Sequence, residues 1–111
     1  MDCLFCAIVA GGIPSRQVYA DSSAIAFLDI NPWKRGHTLV IPRRHVTDVL
    51  AVDEAMTEIA PAIGATARLL RDRLAADGIN LLSNAGAVAG QEVFHLHVHL
   101  VPRYADDPGL R

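Results

Sequence analysis

The sequence lacks an excess of basic charge and any long hydrophobic run, and these two absences exclude several classes of protein. A formal net charge of −2 argues against a general nucleic-acid binder, which would show a basic face, although a pocket for one nucleotide stays possible. The N-terminal stretch "MDCLFCAIVAGGIPS" has no basic region, and its apolar run is too short for a signal peptide or a membrane span. We therefore expect a cytoplasmic protein with no nucleic-acid or membrane partner.

Cysteine is also scarce, and no repeat or low-complexity linker divides the chain. The sequence has 111 residues, of which 51% are hydrophobic, so we expect a single domain over 1–111 with a modest core. Only two cysteines are present, Cys3 and Cys6. In the cytoplasm such residues are thiols or metal ligands more often than a disulfide.

Hydrophobic patterning predicts five short strands and one long helix. The helix is expected over 53–77, with Asp53 as its cap, Gly78 at its end and Pro61 as a kink near its first turns. Its apolar face would comprise Met56, Ile59, Ala60, Ile63, Ala67, Leu70 and Leu74. The strands are expected over 17–21, 24–30, 37–42, 79–84 and 91–101. Because strands and helices do not alternate, we expect an α+β fold with an antiparallel sheet.

Three of the five histidines occupy every second position of "FHLHVHL", residues 94–100. In a helix these side chains would diverge, whereas in a strand His95, His97 and His99 project from one face. The opposite face would then pack into the core through Phe94, Leu96, Val98 and Leu100. From this pattern alone two alternatives stay open: a solvated face of surface histidines, and a catalytic zinc site, since His-x-His on a strand chelates metals.

With its flanking motifs, this stretch resembles the histidine triad (HIT) family. "HLHVHLVPR" matches the triad pattern, and "CLFCAIVAGGIPS", "AFLDINP", "GHTLVIPRRH" and "SNAGAVAGQEV" follow the family order. The resemblance is to the histidine triad nucleotide-binding branch, zinc-containing bacterial type. It implies a HIT-like fold with a five-stranded antiparallel sheet, one long helix and a short N-terminal helix. It also implies a homodimer whose sheets join, with purine nucleotides bound beside the triad.

The resemblance also implies roles for individual residues. His97 matches the nucleophile, His99 the triad member that contacts the phosphate, and His37 a histidine that supports the triad. The matching nucleotide-binding residues are Phe5, Ile8, Phe27, Asp29, Ile30, Asn84, Gly90, Gln91 and Glu92. Of these, Asp29 matches the acid that binds the ribose, and the apolar members match the base pocket. By pattern alone the apolar members are equally plain core residues.

Glu92 is a departure from the pattern of some relatives. Those relatives carry a serine two residues after the loop glycine, and its hydroxyl serves the leaving group, whereas this chain has Glu92 after Gly90 and Gln91.

The Cys3-x-x-Cys6 spacing supplies half of a tetrahedral zinc site, because two thiolates from one tight turn reach a single ion. Two thiols placed together by coincidence would have the same spacing. The resemblance implies one structural zinc per chain, held by Cys3, Cys6, His45 and His95. In that arrangement His95 serves the metal, and His97 and His99 remain for chemistry.

These features predict a nucleotide-binding hydrolase or transferase that acts at the α-phosphate through a nucleotidyl-histidine. The expected substrates are purine nucleoside phosphoramidates, adenylates or dinucleoside polyphosphates. One alternative is a metallohydrolase in which all three triad histidines hold a catalytic zinc. Another is a nucleotide-binding or interaction module without catalysis.

Overall fold

A computed structural model of the chain describes residues 3–51 and 54–110. The elements in chain order are α1 (Leu4–Val9), β1 (Gln17–Ala20), β2 (Ala24–Leu28), β3 (Thr38–Pro42), α2 (Ala55–Leu74), β4 (Gly78–Leu82), a 3-10 turn (Ala87–Ala89) and β5 (Val98–Arg103). The predicted α+β fold, with one long helix, a short N-terminal helix and five strands, is confirmed. No helix in the described ranges combines the length and the apolar character that crossing a bilayer requires.

The five strands form one antiparallel sheet in the order β1-β2-β3-β5-β4. β5 therefore lies between β3 and the edge strand β4. His99 is opposite Leu39 on one side and Leu82 on the other. This central position makes the C-terminal histidine of the triad part of the sheet itself.

The two faces of the sheet pack against different helices. Along β2, Ala24 and Ala26 join a core cluster that includes residues of α2, while Ile25 and Phe27 join a second cluster that includes Phe5 of α1. A strand that is buried on both faces has a continuous run of apolar residues, which is the pattern of β2 and β3. The short helix α1 thus covers the face that carries the triad.

β5 begins at Val98, seven residues later than the sequence predicts, so His95 and His97 precede the strand. The register of β3 with β5 would place Leu96 opposite Pro42, and proline has no N–H to donate to a sheet. The N–H of Leu96 instead donates to the carbonyl of Val46. Pro102 does not end the strand, because pairing with β3 stops at Leu100 and leaves that side of β5 open.

Two further expectations were wrong in detail. Phe94 was expected in the core, but its side chain is 47% exposed, because it lies in the irregular segment before β5. The helix α2 ends at Leu74 with Ala75 in the left-handed conformation, and Gly78 begins β4 instead of ending the helix. The expected cap Asp53 lies outside the described residues.

The buried face of α2 is rotated from the expected one. Its buried residues are Ala55, Ile59, Ala62, Thr66 and Leu70. Met56 and Ala60 are exposed, while Ile63, Ala67 and Leu74 are partly buried against the core. Ile59 and Leu70 are therefore the members of the predicted apolar face that are fully buried.

Candidate active site

A cavity of about 490 Å³ lies between α1 and the triad; we call it the central cavity. Ten of the residues predicted to bind nucleotide or catalyse line it: Phe5, Ile8, Phe27, Asp29, Ile30, Asn84, Gly90, Glu92, His97 and His99. Trp33, which the sequence patterns did not identify, also lines it. The cavity therefore brings together three separated parts of the chain: α1, the end of β2 and the segment 84–99.

The apolar end of the central cavity is built on α1. The ring of Phe5 packs edge-to-face on Phe27 at 5.5 Å and on His97 at 5.1 Å, measured between ring centroids. Phe5 and Phe27 are each 4% exposed, so they belong to the core and also form the wall. Ile30 is 89% exposed and stands at the rim. Phe5 and Phe27 are thus core residues and pocket residues at the same time.

One hydrogen bond sets the tautomer of the neutral His97 ring. Its Nδ1 lies 2.8 Å from the carbonyl oxygen of His95. Because a carbonyl only accepts, Nδ1 carries the proton, and the lone pair of the neutral ring is at Nε2. The hydroxyl of Ser83 donates to the carbonyl of His97 at 2.7 Å and fixes the backbone. His97 is 7% exposed, so its ring is held on the cavity wall.

His99 has the opposite tautomer. The backbone N–H of Trp33 donates to Nδ1 of His37 at 3.1 Å, so the neutral His37 ring carries its proton at Nε2. That Nε2 lies 2.9 Å from Nδ1 of His99, which must accept. His99 therefore carries its proton at Nε2, as a donor. Trp33 also stacks on the His99 ring at 4.6 Å.

His37 does not line the central cavity and is hydrogen-bonded to His99, which does. It is 1% exposed, and its Nε2 lies 3.7 Å from a carboxylate oxygen of Asp29. The other oxygen of Asp29 accepts the N–H of Asn31 at 2.8 Å. The carboxylate of Asp29 is thus fixed between the turn after β2 and the His37–His99 pair.

Gln91 organises the loop beside the triad. Its side-chain oxygen accepts the N–H of Gly86 at 2.8 Å, and its nitrogen donates to the carbonyls of Thr47 and Val93. The side chain was expected to bind the nucleotide, but these bonds direct it into the protein and it does not line the cavity. Gly90 has a φ of 101°, and a Cβ there would lie 3.3 Å from the Asn84 amide nitrogen. Glycine at this position therefore lets Asn84 reach the cavity.

The four predicted metal ligands converge at the other end of α1. One ligand atom from each of Cys3, Cys6, His45 and His95 lies within 4.8 Å of all the others. Nδ1 of His95 is 3.4 Å from the sulfur of Cys3 and 3.5 Å from that of Cys6, and Nδ1 of His45 is 3.3 Å from Cys6. Zinc bonds of about 2.3 Å to sulfur and about 2.05 Å to nitrogen at tetrahedral angles place S and N about 3.6 Å apart. The donors and their spacings fit Zn²⁺.

Hydrogen bonds and charge in this cluster also suit a cation. Nε2 of His95 donates to the carbonyl of Pro42 at 2.9 Å, which leaves Nδ1 as a lone-pair donor toward the sulfurs. Burial lowers the pKa of His95 and keeps its ring neutral. Burial, reinforced by the Cys3 sulfur, raises the pKa of the Cys6 thiol. A bound cation would lower this pKa and favour the thiolate. The N–H of Cys6 donates to the sulfur of Cys3.

The same bonds argue against a metal held by all three triad histidines. Both nitrogens of His95 are engaged, by Pro42 and by the cysteines, so its ring does not turn toward His97. Asp29, His37 and His99 also offer ligand atoms within 4.8 Å of one another. These atoms are close because His37 and His99 are hydrogen-bonded to each other. The other nitrogen of His37 accepts the N–H of Trp33.

Comparison with known proteins agrees with this geometry. A family model described as "HIT domain" matches residues 10–106. The Bacillus subtilis protein named "Protein hit" is 46% identical over 110 residues, which are 98% of this chain and 76% of that protein.

Two solved structures have the same fold. A Zn-bound histidine triad family protein from Mycobacterium smegmatis is 43% identical with a TM-score of 0.92, and the match covers 100% of this chain and 81% of that one. A HIT family hydrolase from Clostridium thermocellum is 36% identical with a TM-score of 0.84, and the match covers 99% and 97% of the two chains.

The hydrogen bonds predict opposite tautomers for neighbouring histidines. In long-range ¹H–¹⁵N NMR spectra of the protein at neutral pH, His97 should be protonated at Nδ1, and His37 and His99 at Nε2. A His97 ring protonated at Nε2 alone would contradict the assignment.

Proposed function

The chain belongs to the HIT domain family, and from that membership we propose that it is a nucleotide-binding hydrolase or transferase of the histidine triad nucleotide-binding branch. Its substrates would be purine nucleoside phosphoramidates, adenylates or dinucleoside polyphosphates, cleaved at the α-phosphate. The observation that carries the proposal is the bond from Nδ1 of His97 to the His95 carbonyl. It leaves a nucleophilic lone pair at Nε2 of a ring on the wall of a cavity that also contains His99 and Asp29.

The proposed reaction has two displacements. In the first, the Nε2 lone pair of His97 forms a bond to the α-phosphorus, and the bond from phosphorus to the leaving atom breaks. Its electron pair stays on the leaving atom, which takes a proton. In the second, water attacks the phosphorus, the P–Nε2 pair returns to His97, and the water gives up a proton. One water is consumed overall, and two easier steps replace one difficult displacement.

Neighbouring groups would stabilise the charge that develops on the phosphoryl oxygens. The Nε2–H of His99 is a donor by the tautomer argument. Asn84 and the backbone at Gly90 line the same cavity. Preorganised donors aimed at developing negative charge are the largest single term in many enzymes. His37 is a positioning residue in this scheme, because it acts on the phosphate only through His99.

The opposite end of the central cavity would bind the nucleoside. Asp29 would accept hydrogen bonds from two ribose hydroxyls, since a carboxylate accepts from neighbouring donors. Phe5, Ile8, Phe27 and Ile30 would contact the base. The aromatic rings offer the flat apolar surface on which a purine stacks.

Substitution of His97 tests the nucleophile. His97→Ala should lower kcat on an adenosine phosphoramidate by at least about 10³-fold, because the covalent step is removed. AMP binding should persist, since Phe5 and Asp29 are unchanged. Mass spectrometry of rapidly quenched wild-type protein should find one nucleotidyl group on His97. Wild-type turnover by His97→Ala would reject the assignment, and loss of AMP binding together with turnover would point to misfolding instead.

We further propose one structural zinc per chain, held by Cys3, Cys6, His45 and His95. The fit of donor types and distances supports it, and so does the Zn-bound relative. When bound, zinc would cross-link the N-terminal turn to the segment before β5. With four protein ligands the site has no open position for a substrate, which is typical of structural zinc.

Removal of the two thiols tests the zinc site. Cys3→Ala/Cys6→Ala should reduce zinc from one per chain to near zero and lower Tm by at least about 5 °C, which is roughly 1 kcal/mol for a domain of this size. A chelator should lower the Tm of the wild-type protein and leave that of the double variant unchanged. Full zinc occupancy in the double variant would show that other residues bind the metal.

We also propose that the protein is a cytoplasmic homodimer. Cys3 and Cys6 form no disulfide, which is consistent with the cytoplasm. The edge strand β4 has unpaired backbone groups on one side, and its Leu81 is 56% exposed. Such an edge favours pairing with a second strand. Sedimentation at micromolar concentration should therefore give twice the chain mass of 11.9 kDa.

A further inference from the structure

We propose that a second cavity beside the central one binds the leaving group, and that Glu92 makes this subsite selective for leaving groups with a positive charge. The inference rests on the proposed function and adds the substrate class. The second cavity, here called the outer cavity, has a volume of about 390 Å³. Its walls include Thr47, Glu92 and Phe94.

The outer cavity adjoins the reacting end of the central cavity. Leu4, Glu92 and Val93 line both, so these three residues form their common boundary. A nucleotide with its ribose at Asp29 and its α-phosphate at His97 would have its leaving group on the side away from the ribose. Glu92 lines the central cavity together with His97, and no described residue of the outer cavity also lines the cavity of about 600 Å³ that borders Asp29, so Glu92 lies on the side away from the ribose end.

A third cavity does not provide an equivalent site. It has a volume of about 600 Å³ and is lined by residues that include Arg16, Asp29 and His37. Neither His97 nor His99 lines it, so it borders the ribose end and not the bond that breaks. Its arginine is therefore poorly placed to neutralise a leaving group.

The charge of the two adjoining cavities is unusual for a phosphate site. In the described part of the chain, no lysine or arginine lines the central or the outer cavity, while Asp29 and Glu92 supply two carboxylates. Cys3 and His45 also line the outer cavity, but two thiolates would offset the charge of a bound divalent ion. A polyphosphate leaving group would meet a carboxylate here with no cation to oppose it.

Glu92 is available to interact with a ligand. The carboxylate is exposed, and within the described ranges no hydrogen bond or ion pair engages it. Beside it the ring of Phe94 is 47% exposed, and an aromatic face attracts ammonium groups. A carboxylate and an aromatic ring on one small cavity fit a cationic amine better than an anion or a neutral chain.

A substrate of this kind would react by the two displacements proposed above. The P–N bond of a nucleoside phosphoramidate breaks as His97 bonds to phosphorus, its electron pair stays on the amine nitrogen, and that nitrogen takes a proton from water. Glu92 forms no bond in this step. Its role is to attract a second, distant ammonium group of the departing amine.

Three matched substrates test the inference. AMP is linked through its phosphate to 1,3-diaminopropane, n-butylamine or 3-aminopropionate, which end in an ammonium, a methyl and a carboxylate group. At low salt the wild-type kcat/KM should be about tenfold higher for the ammonium than for the carboxylate substrate. Attraction and repulsion at about 6 Å in water each contribute roughly threefold. Added salt should reduce this ratio.

Two substitutions of Glu92 locate the effect. Glu92→Gln should reduce the ratio to within about twofold of one, and Glu92→Lys should reverse the preference. Asp72→Asn is the matched control, because it removes the same charge from an exposed site on α2 across the sheet and should retain the tenfold ratio. Melting curves of all three variants verify folding.

Each result has a distinct meaning. A tenfold ratio that persists in Glu92→Gln, or equal wild-type rates on the three substrates, would overturn the inference and leave the proposed function intact. Turnover of none of the three by the wild-type protein would overturn the proposed function and the inference with it.

Discussion

The site depends on how His95 is held. Its ring is completely buried, with Nε2 donating to the carbonyl of Pro42 and Nδ1 facing the sulfurs of Cys3 and Cys6. Its own carbonyl accepts from Nδ1 of His97. One residue therefore connects β3, the N-terminal turn and the proposed nucleophile. Because Phe5 follows Cys3 on α1 and packs on the rings of both His95 and His97, a displaced His95 would disturb the apolar pocket as well.

Three alternating histidines can do different work because each ring meets different partners. His95 presents Nδ1 to thiols, His97 is left with a lone pair at Nε2, and His99 with a proton at Nε2. In the proposed function these become a metal ligand, a nucleophile and a donor to the phosphate. All three rings are buried, and burial lowers the pKa of His95, so this ring adds no positive charge beside the other two. The backbone carbonyl of His95 and the backbone amide of Trp33 assign the protons.

Local patterns in the sequence predicted most of the helices and strands, but not the residues at which they begin and end. Period-two histidines identified the chain segment on which the site is built, and helical periodicity identified α2. The start of β5 was missed because it depends on Pro42, more than 50 residues away, which has no N–H to pair with Leu96. Trp33 was missed for a similar reason, since its stack on His99 follows from the register of β3 with β5. Spacing alone did not identify His45 as a metal ligand, because only the folded chain brings His45 to the cysteines.

The central claim is that two displacements at His97 replace a direct attack by water, and the configuration at phosphorus tests it most directly. An adenosine 5′-phosphoramidate made chiral at phosphorus with sulfur would be hydrolysed in ¹⁸O-water, and the configuration of the product determined. Each in-line displacement inverts phosphorus, so two of them through a nucleotidyl-histidine predict retention of configuration. Inversion would mean that water attacks the substrate directly, and it would contradict the role assigned to His97.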